Sequence, residues 1–267
     1  MKSFSGKALR WQWNEGVVEV TLDREPANEI GTPMLAELEQ FAAAIPALER
    51  ETAACILFSN RRPGFSAGAD LRELYHSARA LSETDRLAGV RAFVERVHAV
   101  FDTLDTAPFV TIAAVHGVCF GGGFELALTC DIIIADVMAR FAFPELRLGL
   151  IPGFGGIPRL LRDAGNSFVR DLLLTGRSVN AARAHAAGVV AQTAAEGEAL
   201  RAARSAAAQI TKFDAATRTA AKQFVKRVPR DELRRERELF CELFARPAVM
   251  AALKKFVETP GAMPYLP

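Results

Sequence analysis

Two glutamates and two loops of small residues hold the chemistry that can be read from this 267-residue sequence. Glu125 sits in Phe124-Glu125-Leu126-Ala127-Leu128, and Glu145 in Phe141-Ala142-Phe143-Pro144-Glu145-Leu146. Each is the one charge in its apolar segment. Burial raises a carboxyl pKa toward neutrality, and two neighbouring carboxyls push their values apart. One acid and one base working near pH 7 is the expected outcome. Singly, each glutamate also has an ordinary role: a charge in the first turn of a helix, or the residue after a helix-starting proline. The pair is the informative feature.

The first loop is Phe65-Ser66-Ala67-Gly68-Ala69-Asp70-Leu71 and the second is Gly117-Val118-Cys119-Phe120-Gly121-Gly122-Gly123-Phe124-Glu125. Small residues let a ligand approach the backbone. The second loop opens straight into a helix pattern, so free N–H groups face whatever occupies it. That suits an anion, either a phosphate or a developing oxyanion. GxxxxGK[ST] and GxGxxG are both absent and no lysine adjoins the glycines, which weakens the phosphate reading. Close packing of a helix on a sheet is an equally good explanation of the glycine triplet taken alone.

Alternating strand and helix signals place these loops. Val17-Val18-Glu19-Val20-Thr21-Leu22 reads as a strand, and Thr32-Pro33 as an N-cap followed by proline at the first helical position. Leu35, Leu38, Phe41, Ala42 and Ile45 give helical spacing over residues 34–48, with Pro46 expected to bend or end the helix. Residues 53–58 and 110–115 read as buried parallel strands. Residues 59–69 read as a loop, and a polar helical stretch runs from there to about Thr106. A helix over 124–130 and a third strand over 132–135 follow. The alternation predicts an α/β domain. From about Glu196 onward the pattern is nearly all helix, punctuated by Pro229 and Pro247. Its basic stretch, residues 222–238, reads as a solvated helix face, with a nucleic-acid patch as the sharper alternative.

Composition narrows the classes. Hydrophobic residues make up 50% and charged residues 24%, enough for a real core. Lys+Arg 33 against Asp+Glu 31 gives a net charge of +2, so no nucleic-acid or membrane partner is expected from charge. Cys55, Cys119, Cys130 and Cys241 show no metal-ligand spacing and read as buried thiols in a reducing compartment. The N-terminus lacks an apolar signal core, and the most apolar stretch, residues 109–120, is broken by His116 and Gly117. A cytoplasmic protein without a metal is the expectation.

Residues 10–260 resemble the crotonase superfamily, also called the enoyl-CoA hydratase/isomerase family. Three segments carry the resemblance: Ser66-Ala67-Gly68-Ala69-Asp70-Leu71; Ile112-Ala113-Ala114-Val115-His116-Gly117 with Gly121 to Asp131; and Phe143-Pro144-Glu145-Leu146-Arg147-Leu148-Gly149-Leu150-Ile151-Pro152-Gly153-Phe154-Gly155-Gly156. The resemblance implies a spiral of ββα units over residues 1–195. It also implies a C-terminal α-helical region over 196–267 that builds homotrimers, often paired into hexamers, and lids the pocket. Ala69 and Gly122 look like the two N–H donors of an oxyanion hole, and Glu125 and Glu145 match the two catalytic glutamates of the hydratases. Pro26, Ala27, Ala67, Gly68, Asp70, Leu71 and Gly121 resemble segments that lie along coenzyme A.

The implied reaction is syn addition of water across the 2,3 double bond of a 2-enoyl thioester, with no cofactor beyond the thioester carrier. Double-bond isomerisation, dehydration or decarboxylation on the same scaffold, and a non-catalytic RNA- or protein-binding homologue, stand as alternatives. Lys254 and Lys255 are the candidates for a basic tail, within residues 254–267, that holds nucleotide phosphates. The loose match there leaves coenzyme A and a carrier protein's phosphopantetheine both open. Residues 76–100 match no family pattern, so acyl preference stays open.

Overall fold

The computed structural model describes residues 2–259, so the last eight residues of the expected basic tail lie outside the described residues. In chain order come β1 (Ser3–Ser5), β2 (Leu9–Asn14), β3 (Val17–Leu22), α1 (Thr32–Leu48), β4 (Ala54–Ser59), β5 (Gly64–Ser66), α2 (Leu71–Ala78) and α3 (Glu83–Asp105). Next are β6 (Val110–Val115), β7 (Val118–Phe120), α4 (Gly122–Ala127), β8 (Ile132–Asp136), β9 (Arg140–Ala142) and a 3₁₀ turn (Glu145–Leu148). Then follow α5 (Gly156–Asp163), α6 (Asn166–Thr175), β10 (Val179–Asn180), α7 (Ala181–Ala186) and β11 (Gln192–Ala194). Helices α8 (Ala199–Ile210), α9 (Ala215–Val225), α10 (Arg230–Phe244) and α11 (Pro247–Glu258) end the described chain.

The strands form two sheets. The larger has the order β1-β2-β3-β4-β6-β8-β11 and the smaller β10-β9-β7-β5. Strands β4, β6 and β8 are parallel neighbours in the large sheet, and β5, β7 and β9 are parallel neighbours in the small one. Each of β4, β6 and β8 is thus followed at once by a short small-sheet strand and then a helical segment. Three such turns in succession make the expected ββα spiral.

Both faces of the large sheet are covered, which is why its strands read as continuous apolar runs. Alternate side chains part to opposite faces. Cys55, Leu57, Ala113 and Val115 enter the main core, whereas Ala54, Ile56, Phe58, Ile112 and Ala114 pack under Ala199, Ala203 and Ala207 of α8. The four-residue spacing of those alanines lets the helix lie close on the sheet. Each fully buried Ile or Phe here contributes about 1.5–3 kcal/mol. All four cysteines are buried free thiols. No described helix is long and apolar enough to cross a membrane.

Several local readings need correction. Gly31, not Thr32, is the N-cap of α1, and the Thr32 N–H and hydroxyl both bind the Glu73 carboxylate. Helix α1 runs through Pro46 to Leu48, since a proline this near the end removes one hydrogen bond without stopping the helix. The two loops contain β5 and β7, three-residue strands too short to show a period. Helix α4 starts at Gly122 and ends at Ala127, two residues earlier at its start and three at its end than its apolar pattern suggested. In the basic stretch, Lys222 and Lys226 are not solvated. Lys222 pairs with Asp131 at 2.8 Å, and Lys226 with Asp131 at 2.8 Å and Asp105 at 2.9 Å.

Candidate active site

The three segments singled out above all leave the C-terminal ends of adjacent parallel strands of the small sheet. Ala67–Leu71 follows β5, Gly121–Glu125 follows β7, and Phe143–Glu145 follows β9. Strand pairing alone brings them together, although they are far apart in sequence.

The first two segments touch through their backbones. The Ala69 nitrogen is 3.4 Å from where a Cβ on Gly122 would stand, and the ring of Phe154 is 2.8 Å from that point. A larger residue at 122 would fill the gap. Gly121 takes φ +47°, a left-handed conformation that favours glycine, and the Glu145 carboxyl occupies the space its Cβ would need. Amides beside them are engaged: Gly68 N–H to Ser66 Oγ at 3.2 Å, Asp70 N–H to the Ile30 carbonyl at 3.2 Å, and Gly121 N–H to the Ala142 carbonyl at 3.0 Å. Among the described residues, the Ala69 and Gly122 N–H groups donate to nothing. Two open donors are therefore held side by side by their satisfied neighbours.

Glu125 is 2% exposed. Its Oε1 accepts the Phe154 N–H at 2.8 Å and the Gly156 N–H at 2.9 Å. Burial pushes its pKa up to about 7, against the pull of those two amides and of Arg159. Glu145 Oε2 is buried with no hydrogen-bond partner among the described residues. Burial, then the neighbouring Glu125 charge, raises the Glu145 carboxyl well above its ordinary range. With Glu125 the first of the two to give up its proton, the pair becomes one proton acceptor beside one proton donor.

This arrangement has a measurable cost in stability. The folded protein holds protons on these carboxyls at pH values where the unfolded chain, titrating near 4.5, has released them. Stability from this source is present below pH 4.5 and is lost as pH rises toward 7. Glu125→Gln is therefore expected to raise the melting temperature relative to the native protein at pH 8 but not at pH 4.5. The shift corresponds to roughly 3 kcal/mol by linkage. Thermal melts at the two pH values check the sign.

The four site groups open onto one cavity of about 330 Å³, which Ala67, Gly68, Asp70, Leu71 and Gly121 also line. Its walls are mostly apolar and include Leu74, Val90, Phe93, Leu148, Phe154 and Phe240. Pro26 and Ala27 are not among its lining residues; the Ala27 carbonyl accepts the Ala67 N–H at 2.9 Å, which puts that turn behind the first loop. Asp70 commits its carboxylate to Arg24 at 2.5 Å and to capping α2 through the Glu73 N–H at 2.9 Å.

Three residues that the sequence reading passed over brace the segment supplying the Glu125 donors. His98 donates from Nε2 to the Gly153 carbonyl at 2.9 Å; burial first, with help from Arg159 and Arg237, lowers its pKa to about 4, so it is neutral. Arg159 is fully buried, binds Asp105 at 2.7 Å and Asp102 at 2.8 Å, and donates to the Phe154 and Gly155 carbonyls at 3.1 and 3.3 Å. Glu236 accepts the Ile157 N–H at 2.8 Å, and its second oxygen is buried without a partner. Spacing could have revealed two of them. His98, Asp102 and Asp105 share one face of α3, and Glu236 interrupts the buried stripe Leu233–Phe240–Phe244 of α10.

Comparison with known proteins identifies the family and the fold. A family model described as enoyl-CoA hydratase/isomerase matches residues 12–262. A probable enoyl-CoA hydratase of Rhizobium meliloti is 36% identical over 232 residues, covering 85% of each chain. One of Mycobacterium bovis is 32% identical over 244 residues, covering 90% of each. The crystal structure of an enoyl-CoA hydratase from Bacillus halodurans shares the fold, with a TM-score of 0.82 at 24% identity over 93% of this chain and 99% of that one.

Proposed function

Because this chain belongs to the enoyl-CoA hydratase/isomerase family, we propose that it adds water across the 2,3 double bond of 2-enoyl thioesters. One observation carries this reading: two buried carboxyls of split acidity share a cavity with two unengaged backbone N–H groups.

The thioester oxygen accepts from the Ala69 and Gly122 N–H groups. The Glu125 carboxylate takes a proton from water as the water oxygen bonds to C3. The C2–C3 π electrons move toward the thioester, and the charge gathers on the oxygen held by the two amides. The Glu145 carboxyl gives its proton to C2, and a proton passing from Glu125 to Glu145 restores the site. A donor aimed at developing charge is worth about 3–4 kcal/mol, and general acid–base work roughly 100- to 10,000-fold. Isomerisation needs only one proton carrier. It would leave Glu125, held by two amides, without a task.

The acidity split sets the pH profile. Protonated Glu125 cannot accept water's proton, so kcat/KM is expected to fall as pH drops through about 7, with a slope of one. A second, higher limb follows when Glu145 loses its proton. Absorbance loss of enoyl thioesters on coenzyme A and on carrier protein reads both limbs and separates the two carriers. An acid limb near 4.5 would remove the buried Glu125 from the base role.

A further inference from the structure

We infer that the α2–α3 end of the cavity binds an anionic group at the far end of the acyl chain, with Arg86 as its partner. The substrate class is then a 2-enoyl thioester bearing a distal carboxylate. This builds on the hydratase reading of the same cavity and goes further, to what the acyl group carries.

Arg86 is in the first turn of α3 and lines the cavity among Leu74, Ala78, Leu81 and Val90. Its Nε is buried and without a hydrogen-bond partner, and no carboxylate of the described residues pairs with its guanidinium. The other arginine of the lining is satisfied: Arg96 grips Glu39 with two bonds of 2.7 Å. At the first-loop edge Arg24 is held by Asp70. Two acids of this region have other work. Asp85 accepts the Ser82 hydroxyl at 2.7 Å, and the cavity-lining Glu73 accepts the Thr32 N–H at 2.8 Å.

Arg86 is part-buried, with its Nε shielded from water and without a counter-charge, so a ligand anion supplies the partner that the shielded edge of the guanidinium lacks. The guanidinium is planar and matches a carboxylate through two parallel bonds. Its position selects the acyl end of the ligand. Phe93 packs on Phe154 at 6.2 Å between ring centres, and Phe154 abuts the Gly122 donor, so this aromatic pair marks the thioester. Arg86 is seven residues earlier on α3, two turns and about 10 Å away along the helix. Gly89, one turn from Arg86, puts no side chain between Arg86 and Phe93 on the cavity side of α3.

A phosphate of the carrier shares the same charge chemistry, and the test separates the two sources. Binding of glutaryl-CoA and pentanoyl-CoA is measured by calorimetry. Neither has a double bond to hydrate, and both carry the same carrier phosphates. The native protein is expected to bind glutaryl-CoA at least 10-fold more tightly than pentanoyl-CoA. Arg86→Met is expected to erase that preference while leaving pentanoyl-CoA within 2-fold, and Arg86→Lys to keep part of it. Equal affinity of the native protein for the two ligands overturns the proposal, even if no variant folds. Equal weakening of both ligands by Arg86→Met also overturns it, in favour of a carrier phosphate. Turnover reports separately. Hydration of crotonyl-CoA without a glutaryl preference sinks this site alone. A glutaryl preference without turnover of crotonyl-CoA or glutaconyl-CoA sinks the hydratase reading and leaves the anion site standing.

Discussion

Glu145→Gln is expected to lower kcat for hydration of 2-enoyl-CoA by 100- to 10,000-fold, with KM little changed. Glutamine keeps the shape of the side chain, and Glu145 Oε2 has no hydrogen-bond partner to lose. What disappears is the carboxyl poised to give C2 a proton. Glu125→Gln is expected to cost a similar factor by removing the base. Its amide oxygen can still accept the Phe154 and Gly156 N–H groups, so the surrounding segment keeps its anchor. Because the two carboxyls act as a unit, the double variant is expected to be little worse than the poorer single one. Absorbance assays at saturating and at low substrate separate kcat from KM. Near-native kcat in either single variant would remove that residue from the chemistry.

Gly122→Pro is expected to lower kcat/KM by 100- to 1,000-fold, the usual loss for one oxyanion donor. Proline deletes the N–H and fits the first position of a helix, where that N–H has no helical partner. Gly122 is the first residue of α4. Phe154 lies within 2.8 Å of the new Cβ position, so crowding is a second effect. Phe154→Ala alone, and combined with Gly122→Pro, isolates it. Relief of crowding should not restore the rate, because the donor is still missing. If the combined variant recovers the activity of Phe154→Ala, the Gly122 amide is not a donor to the reacting oxygen.

Much of this architecture is legible in the chain because burial writes itself into strands. The continuous apolar runs of β4 and β6 follow from a sheet covered on both faces. The site segments are legible because open backbone donors and charges in apolar surroundings demand unusual residues: glycine at 121 and 122, glutamate at 125 and 145. The short strands β5, β7 and β9 are not legible, since three residues cannot show a period, yet their pairing is what gathers the site. Arg159 looks like any surface arginine until Asp102 and Asp105 on α3 are seen to meet it, a contact 54 to 57 residues distant in sequence. Lys222 and Lys226 sit in a basic, polar-looking stretch, and only the tertiary fold reveals the acids they close upon. Arg86 escapes for the same reason, because a lone cation on a polar helix acquires meaning only from the apolar wall around it.

The most direct measurement is nuclear magnetic resonance analysis of the products formed from crotonyl-CoA and glutaconyl-CoA in deuterated water. The expected product is the 3-hydroxyacyl thioester with one deuterium at C2, on the same face as the new hydroxyl. Deuterium at C2 or C4 with no hydroxyl at C3, or a double bond moved instead of hydrated, would contradict a site in which Glu125 activates water while Glu145 protonates carbon.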